Sequence, residues 1–248
     1  EVRKHLKKCK IKDFKIILEP SKRNTAPAIL SAALIKDIPD YQPLIFFAAD
    51  HLIEKINTLN LSIKKNIKNL NHENIFLFGI KPTNPSKKFG YFLTKKNNNK
   101  MNKVIKFIEK PDVNKAKKII KNKGYWNSGI FLLRKDSLIN NFKKYQPNIL
   151  SLCKKTVFNA KIKKNIYYLN KYSFNKLISK SFDKAILEKS SYLEAIKLNI
   201  PWSDLGSWEE ICKMYEKNKK RYYKNENIFF RPWGKYINLF KGKNFLIK

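Results

Sequence analysis

The sequence predicts an α/β fold, and three observations carry that prediction. β-prone runs alternate with helix-spaced segments along most of the chain, the pattern of βα units. Residues 44–49, Leu-Ile-Phe-Phe-Ala-Ala, are apolar without a break, as a strand covered on both faces of a parallel sheet would be. With 248 residues, 43% hydrophobic and 13% aromatic, the chain is long and apolar enough to bury a core, as one large domain or two small ones.

The amino terminus, Glu-Val-Arg-Lys-His-Leu-Lys-Lys, sets single apolar residues among charges and lacks the apolar stretch of a secretory signal. Residues 15–18 form a β-prone run closed by Glu19-Pro20, and residues 25–35 follow as an Ala-rich segment suited to a buried helix. The run 44–49 ends at Asp50-His51, and polar residues at a strand's carboxyl end point to a site. Residues 56–70 have helical spacing, and 75–80 read as a strand. Lys81-Pro82-Thr83-Asn84-Pro85 breaks the chain before Phe89-Gly90-Tyr91-Phe92, and Asn97-Asn98-Asn99 reads as a hairpin tip. Residues 104–109 return as a strand stopped by Lys110-Pro111, 113–121 form a helix, and 128–133 a strand. From 136 to 187 the chain reads as mainly helical; 192–198 then form a strand, and 209–217 a helix. The expected organisation is a domain over 1–216, a charged linker without apolar period over 217–228, and a new aromatic, β-prone pattern over 229–248.

Composition narrows the function classes. The chain carries 54 Lys and Arg against 19 Asp and Glu, a formal charge of +35, which favours nucleic acid or an anionic surface as partner. Against that, only Arg3, Arg23, Arg134, Arg221 and Arg231 are arginine, and the lysines are scattered among Asn and Ile. All three residue types have A/T-rich codons, so compositional drift accounts for solvated basic faces without a selected partner. No specific nucleic acid is therefore expected. Cys9, Cys153 and Cys212 are odd in number and far apart, which fits neither a disulfide framework nor a metal knuckle and suggests a reduced, cytoplasmic setting. No stretch approaches the roughly 20 apolar residues of a membrane helix.

Six segments carry the chemistry: Glu19-Pro-Ser-Lys-Arg-Asn-Thr-Ala-Pro-Ala-Ile29; Ala49-Asp-His-Leu-Ile53; Phe78-Gly-Ile-Lys-Pro82 with Phe89-Gly-Tyr91; Phe107-Ile-Glu-Lys-Pro111; Trp126-Asn-Ser-Gly-Ile130; and Trp202-Ser-Asp-Leu-Gly-Ser-Trp208. In order and spacing, over about residues 14 to 215, they resemble bacterial mannose-1-phosphate guanylyltransferases, especially the form fused to a mannose-6-phosphate isomerase. The resemblance implies a Rossmann-like nucleotide-diphosphosugar transferase fold with a mixed, mostly parallel sheet, and substrates GTP and mannose 1-phosphate. It also implies Mg²⁺ held by Asp50 and Asp204, with Asp50, Lys110 and Asp204 as the catalytic set. Glu109 would contact the sugar and Lys110 its phosphate. Gly90, Asn127 and Gly129 would line the sugar site, while Arg23, Asn24 and Thr25 sit where the family contacts guanine.

Each segment also has a reading from its residues alone. Two carboxylates closing apolar runs, Asp50 and Asp204, offer the hard oxygens that Mg²⁺ and a triphosphate need. Equally, Asp50 could cap the following helix and Asp204 anchor a turn. Glu109-Lys110 precedes a proline that fixes the backbone, so both side chains can face a cleft, a carboxylate suiting hydroxyls and an ammonium a phosphate. Asn127 supplies an amide and Gly129 room for close approach, whereas Trp126 is read as core packing. Asn24 or Thr25 can cap the helix that follows. His5, His51 and His72 show no ligand spacing, and Asp183 and Lys184, in Ser181-Phe-Asp-Lys-Ala-Ile-Leu-Glu-Lys189, lie in a further family-like segment with roles left open.

The family's Gly-Gly-x-Gly-Thr-Arg loop, which wraps a triphosphate in backbone N–H groups, is absent from these 248 residues. The chain reads as beginning in the helix after the second strand, so the sheet is expected to lack its first strand and the Gly-rich loop. Arg231-Pro-Trp-Gly-Lys-Tyr236 resembles the start of a cupin-type isomerase domain. Little guanylyltransferase activity is expected of the chain alone, and a homodimer or a complementing amino-terminal polypeptide are the expected protein partners. The rival reading is a catalytically dead remnant or a basic nucleic-acid or anionic-surface binder.

Overall fold

The computed structural model describes residues 2–96, 102–206 and 210, and the strands at 224–225, 228–230, 236–240 and 243–247. The chain divides into two compact units, residues 1–47 with 57–199, and residues 48–56 with 200–248. Its first elements are α1 (Val2–Lys8), β1 (Ile16–Leu18), α2 (Thr25–Ala33) and β2 (Pro43–Phe46). β3 (Leu52–Ile53) belongs to the second unit, and α3 (Ile56–Ile67) leads back into the first. There follow β4 (Ile75–Ile80), β5 (Tyr91–Lys96), β6 (Asn102–Ile108), α4 (Val113–Lys121), β7 (Tyr125–Arg134), α5 (Lys135–Tyr145) and α6 (Pro147–Phe158). β8 (Lys161–Lys163), β9 (Ile166–Tyr168), α7 (Lys171–Asn175), a π-helical turn (Asp183–Leu187) and β10 (Leu193–Leu198) complete the first unit.

Local chemistry explains several of these elements. In α4, Asp112 caps by accepting from the Lys115 N–H at 2.8 Å, and the spacing of Ala116 and Ile119 buries one face. All six residues of β4 are buried, which fits their unbroken apolar run. α2 tolerates Pro27 because it lies in the first turn, where no intrahelical N–H bond is lost.

The main sheet has the order β2-β7-β4-β10-β6-β5, with β5 also touching β7. It is mixed, as expected, but less parallel than the sequence suggested. Four of its six strands share a direction, yet β7 and β6 run against them, so β4–β10 is the parallel pair and the other neighbours pair antiparallel. The run at 44–49 departs from expectation too. Only its start is strand, β2 is half-buried at the edge of the sheet beside β7, and residues 47–50 are exposed. The core joins helices to this sheet through Leu30, Phe92, Phe131, Phe142, Phe182 and Leu187. Phe182 packs on Phe131 and Phe142 at ring separations of 5.1 and 6.2 Å, and each such buried side chain contributes about 1.5–3 kcal/mol.

Residues 136–187 are not helical throughout. β8 and β9 form a hairpin that extends β1 into a three-stranded sheet, β1-β9-β8. Lys164, at φ 56°, makes the turn, and Ile166-Tyr167-Tyr168 supplies β-prone residues.

In the second unit β11 (Trp202–Ser203) pairs antiparallel with β3, and β12 (Lys224–Asn225), β13 (Ile228–Phe230), β14 (Tyr236–Phe240) and β15 (Lys243–Ile247) form an antiparallel meander. The expected linker, 217–228, holds β12 and the first residue of β13, its other residues lying outside the described ones. Also outside them are the hairpin tip at 97–99, the helix at 209–217 apart from Glu210, and most of the Arg231–Tyr236 motif.

Candidate functional site

β5 and β6 pair with Tyr91 opposite Ile108, so Gly90 and Glu109 leave the ladder side by side. β7 joins them there, its Tyr91↔Trp126 pairing placing Asn127 next to Gly90, whose carbonyl accepts the Asn127 N–H at 2.8 Å. A Cβ at Gly90 would lie 2.7 Å from Glu109 Oε2, so a larger residue would push the carboxylate away. Three sequence-predicted residues therefore converge on one point.

The electrostatics there are unusual. The Glu109 side chain is only 10% exposed, and burial, together with the negative charge of Asp183, pushes its carboxyl up to about 7 against the opposing effect of Lys110. Burial likewise raises Asp183, whose Oδ1 accepts from Asn127 Nδ2 at 2.8 Å. The other end of that amide is also engaged, since Asn127 Oδ1 accepts the Gly129 N–H at 3.3 Å. Gly129 adopts φ 73°, a left-handed conformation that glycine takes without strain. Glu188 adds a third carboxylate, Oε1 accepting the Glu109 N–H at 3.4 Å.

Lys110 takes φ 46° although it precedes a proline, and its Nζ folds back to 3.8 Å from Glu109 Oε1. The expected shared orientation is only partly realised, because the Lys110 side chain is 63% exposed while most of the Glu109 side chain is covered. An exposed ammonium beside a largely buried carboxylate offers two chemistries, the first suited to a solvated phosphate and the second to a hydroxyl.

The segment 23–25 has internal partners. Asn24, at φ 65°, caps α2 by accepting from the Thr25 N–H at 2.8 Å, and Thr25 Oγ1 accepts the Phe182 N–H at 2.8 Å. Arg23 Nη2 donates to the Asn175 carbonyl at 2.6 Å. The capping role weighed from sequence is thus realised at Asn24. Trp126 is buried, with Phe89 at a ring separation of 4.9 Å, the packing role expected of it.

Asp50 and Asp204 belong to the second unit. The β3–β11 pairing, Leu52 with Ser203, brings both to the same end of that ribbon, and the Glu54 N–H donates to the Pro201 carbonyl at 3.2 Å along it. Asp204 Oδ1 accepts the Gly206 N–H at 3.2 Å, so it does anchor a turn, with Leu205 at φ 48°. His51 meets Trp202 edge-on at 5.2 Å between ring centres. Two carboxylates at one ribbon end suit a hard divalent cation that takes its other ligands from phosphate and water. Among the described residues no group of three or more His, Cys, Asp or Glu forms a metal cluster.

Sequence reading missed Glu188 and left the role of Asp183 open. Glu188 lies within a segment, Ser181–Lys189, already noted as family-like, so the signal was there without its geometry.

The model of the nucleotidyl transferase family matches residues 1–221. A mannose-1-phosphate guanylyltransferase of Escherichia coli is 34% identical over 224 residues, 87% of this chain and 48% of that protein. The xanthan biosynthesis protein XanB of Xanthomonas campestris (strain B100) is 32% identical, over 84% of this chain and 45% of its own length. The chain spans about half the length of the curated relatives it matches. Among solved structures, a Helicobacter pylori mannose-6-phosphate isomerase is similar at a TM-score of 0.72 and 30% identity, over 81% of this chain and 78% of that one. A Thermus thermophilus protein described as a mannose-1-phosphate geranyltransferase has the same fold, at a TM-score of 0.73 and 20% identity over 86% of this chain and 61% of its own. With the family's match extending over both the Gly90–Glu109–Asn127 cluster and the Asp50–Asp204 ribbon, this chain belongs to the nucleotidyl transferase family.

Proposed function

We propose that this chain takes part in the transfer of GMP from GTP to mannose 1-phosphate, giving GDP-mannose and pyrophosphate. The observation that carries the reading is the convergence of Glu109 and Asn127 at Gly90, with the Lys110 ammonium 3.8 Å from Glu109: a largely buried hydroxyl acceptor, an oriented amide and an exposed ammonium. A sugar phosphate oxygen attacks the α-phosphorus, a P–O bond forms there, and the α–β bridge breaks to release pyrophosphate. The attacking oxygen is already anionic, so no general base is required; the protein's part is positioning and charge neutralisation. Lys110 holds the sugar phosphate, and Glu109 and Asn127 orient the ring. Asp50 and Asp204 would hold Mg²⁺, which supplies charge neutralisation at the triphosphate. Arg23, Asn24 and Thr25 form the edge assigned to the guanine.

Calorimetric titration of the chain with mannose 1-phosphate tests this. Binding should fall between about 1 μM and 1 mM, the range of ordinary substrates, and Lys110→Ala should weaken it about tenfold while leaving binding of unphosphorylated mannose unchanged. In a second arm, a fusion that supplies a Gly-rich loop should release pyrophosphate from GTP, and Asp204→Asn should slow it at least about a hundredfold. Equal affinity for mannose and its phosphate, or a rate indifferent to Asp204→Asn, would overturn the reading.

A further inference from the structure

The segment 181–188 touches three of the motif segments at once. The Phe182 N–H donates to Thr25 Oγ1 at 2.8 Å, Asp183 Oδ1 accepts from Asn127 Nδ2 at 2.8 Å, and Glu188 Oε1 accepts the Glu109 N–H at 3.4 Å. Its centre is a π-helical turn, a conformation found disproportionately at functional sites. The turn is held by side chains that are fully buried or nearly so, Phe182, Ala185, Ile186 and Leu187, so Asp183 is carried on a rigid element.

The choice of a carboxylate at 183 is costly. An amide or hydroxyl would satisfy the Asn127 amide equally well, without burying a charge next to Glu109. The groups that face Glu109 are Asp183 and Glu188, both acidic, and Lys110 and Lys184, both basic. A second, partly buried acid is therefore retained against repulsion. The Asn127 amide is clamped at both ends, Nδ2 by Asp183 and Oδ1 by the Gly129 N–H.

We propose that Asp183 is a positioning residue: its carboxylate locks the Asn127 amide in one orientation, so that Asn127 and Glu109 present a fixed pair of polar groups beside Gly90 to neighbouring hydroxyls of a hexose phosphate. This rests on the reading that the cluster takes a sugar phosphate, and it adds the residue that sets the site's geometry. Asp183 itself acts through Asn127 and through its charge on Glu109.

The test compares Asp183→Ala and Asp183→Asn in the whole chain, with two readouts. The first, without ligand, is the Asn127 side-chain amide in ¹⁵N–¹H spectra. The second is the dissociation constant of mannose 1-phosphate between pH 5.5 and 8.5. The native amide protons should exchange slowly. Asp183→Ala should speed that exchange and weaken binding at least about tenfold. Asp183→Asn, whose carbonyl still accepts from Asn127, should keep the slow exchange and stay within about threefold of native affinity at pH 8. Its affinity should nonetheless rise with pH at a lower midpoint than in the native chain, because Glu109 has lost a negative neighbour. Unchanged amide exchange in Asp183→Ala overturns the proposal, whatever happens to affinity. If Asp183→Ala fails to fold, an unshifted pH midpoint in Asp183→Asn overturns it instead. If the native chain binds no hexose phosphate, the sugar-phosphate reading fails, and the positioning role is decided by the amide signals alone.

Discussion

Glu109 is held partly neutral near pH 7 by burial and by Asp183, and this has a definite consequence for stability. Unfolded, it ionises in the usual carboxylate range, at about 4.3. Below that range both states hold the proton and the group is silent. As pH rises toward about 7 the native state keeps a proton that the unfolded state has lost, so stability falls, and above about 7 the full penalty is present. Glu109→Gln removes it. The variant should match the native chain near pH 4 and exceed it at pH 8 by about 1–3 kcal/mol in urea unfolding, while losing sugar-phosphate binding. A variant less stable than native at pH 8 would show that Glu109 is not penalised by its surroundings. The residue itself was legible: Glu109, Gly90 and Asn127 all lie in motifs. What surrounds them was not, because the Asn127–Asp183 bond spans 56 positions and the Glu109–Glu188 bond 79, and no local spacing encodes either.

A side-chain hydrogen bond ties α2 to the start of the π-helical turn. Thr25 Oγ1 accepts the Phe182 N–H at the point where Phe182 enters the core. Thr25→Val keeps the volume and the branching but leaves that N–H without its acceptor, which should cost about 1–3 kcal/mol in urea unfolding. Asp183 and Glu188, carried just beyond, should be loosened with it. A loss below about 0.5 kcal/mol would mean that Phe182 packing alone sets the turn. Elements with a self-contained pattern were legible in sequence: the apolar run of β4 and the amphipathic, Asp-capped α4 fall on the expected residues. The β8–β9 hairpin was missed because three-residue strands carry too little periodicity to compete with surrounding helical spacing. Strand direction was overestimated as parallel for a different reason. An apolar run reports burial and not the direction of the neighbour, and both β7 and β6 run against the strands beside them.

For the whole molecule the dominant fact is a charge of +35, with 19 acidic residues against 54 basic ones. Among the described residues the ion pairs join Lys15 to Asp37, Lys110 to Glu109, Lys115 to Asp112, Arg134 to Asp136 and Lys135 to Asp40. Acidic partners for most lysines do not exist anywhere in the sequence, so the folded chain concentrates like charge that the expanded unfolded chain spreads out. Screening should therefore favour the fold. The Debye length shrinks from about 30 Å at 0.01 M salt to about 3 Å at 1 M, while exposed ion pairs are worth at most about 1 kcal/mol each and lose little in total. Raising potassium chloride from about 0.02 M to about 0.5 M should lift the thermal midpoint by about 2–4 °C, equivalent to about 1 kcal/mol at this chain length. The same dispersal of lysines sets the expectation for polyanions: weak, diffuse binding to DNA whose logarithm falls with the logarithm of salt, with no local group of Lys→Gln changes abolishing it. A midpoint that falls with salt would mean that the acidic residues are arranged well enough to outweigh the excess. Tight DNA binding lost on mutating one cluster would instead locate a selected anionic partner.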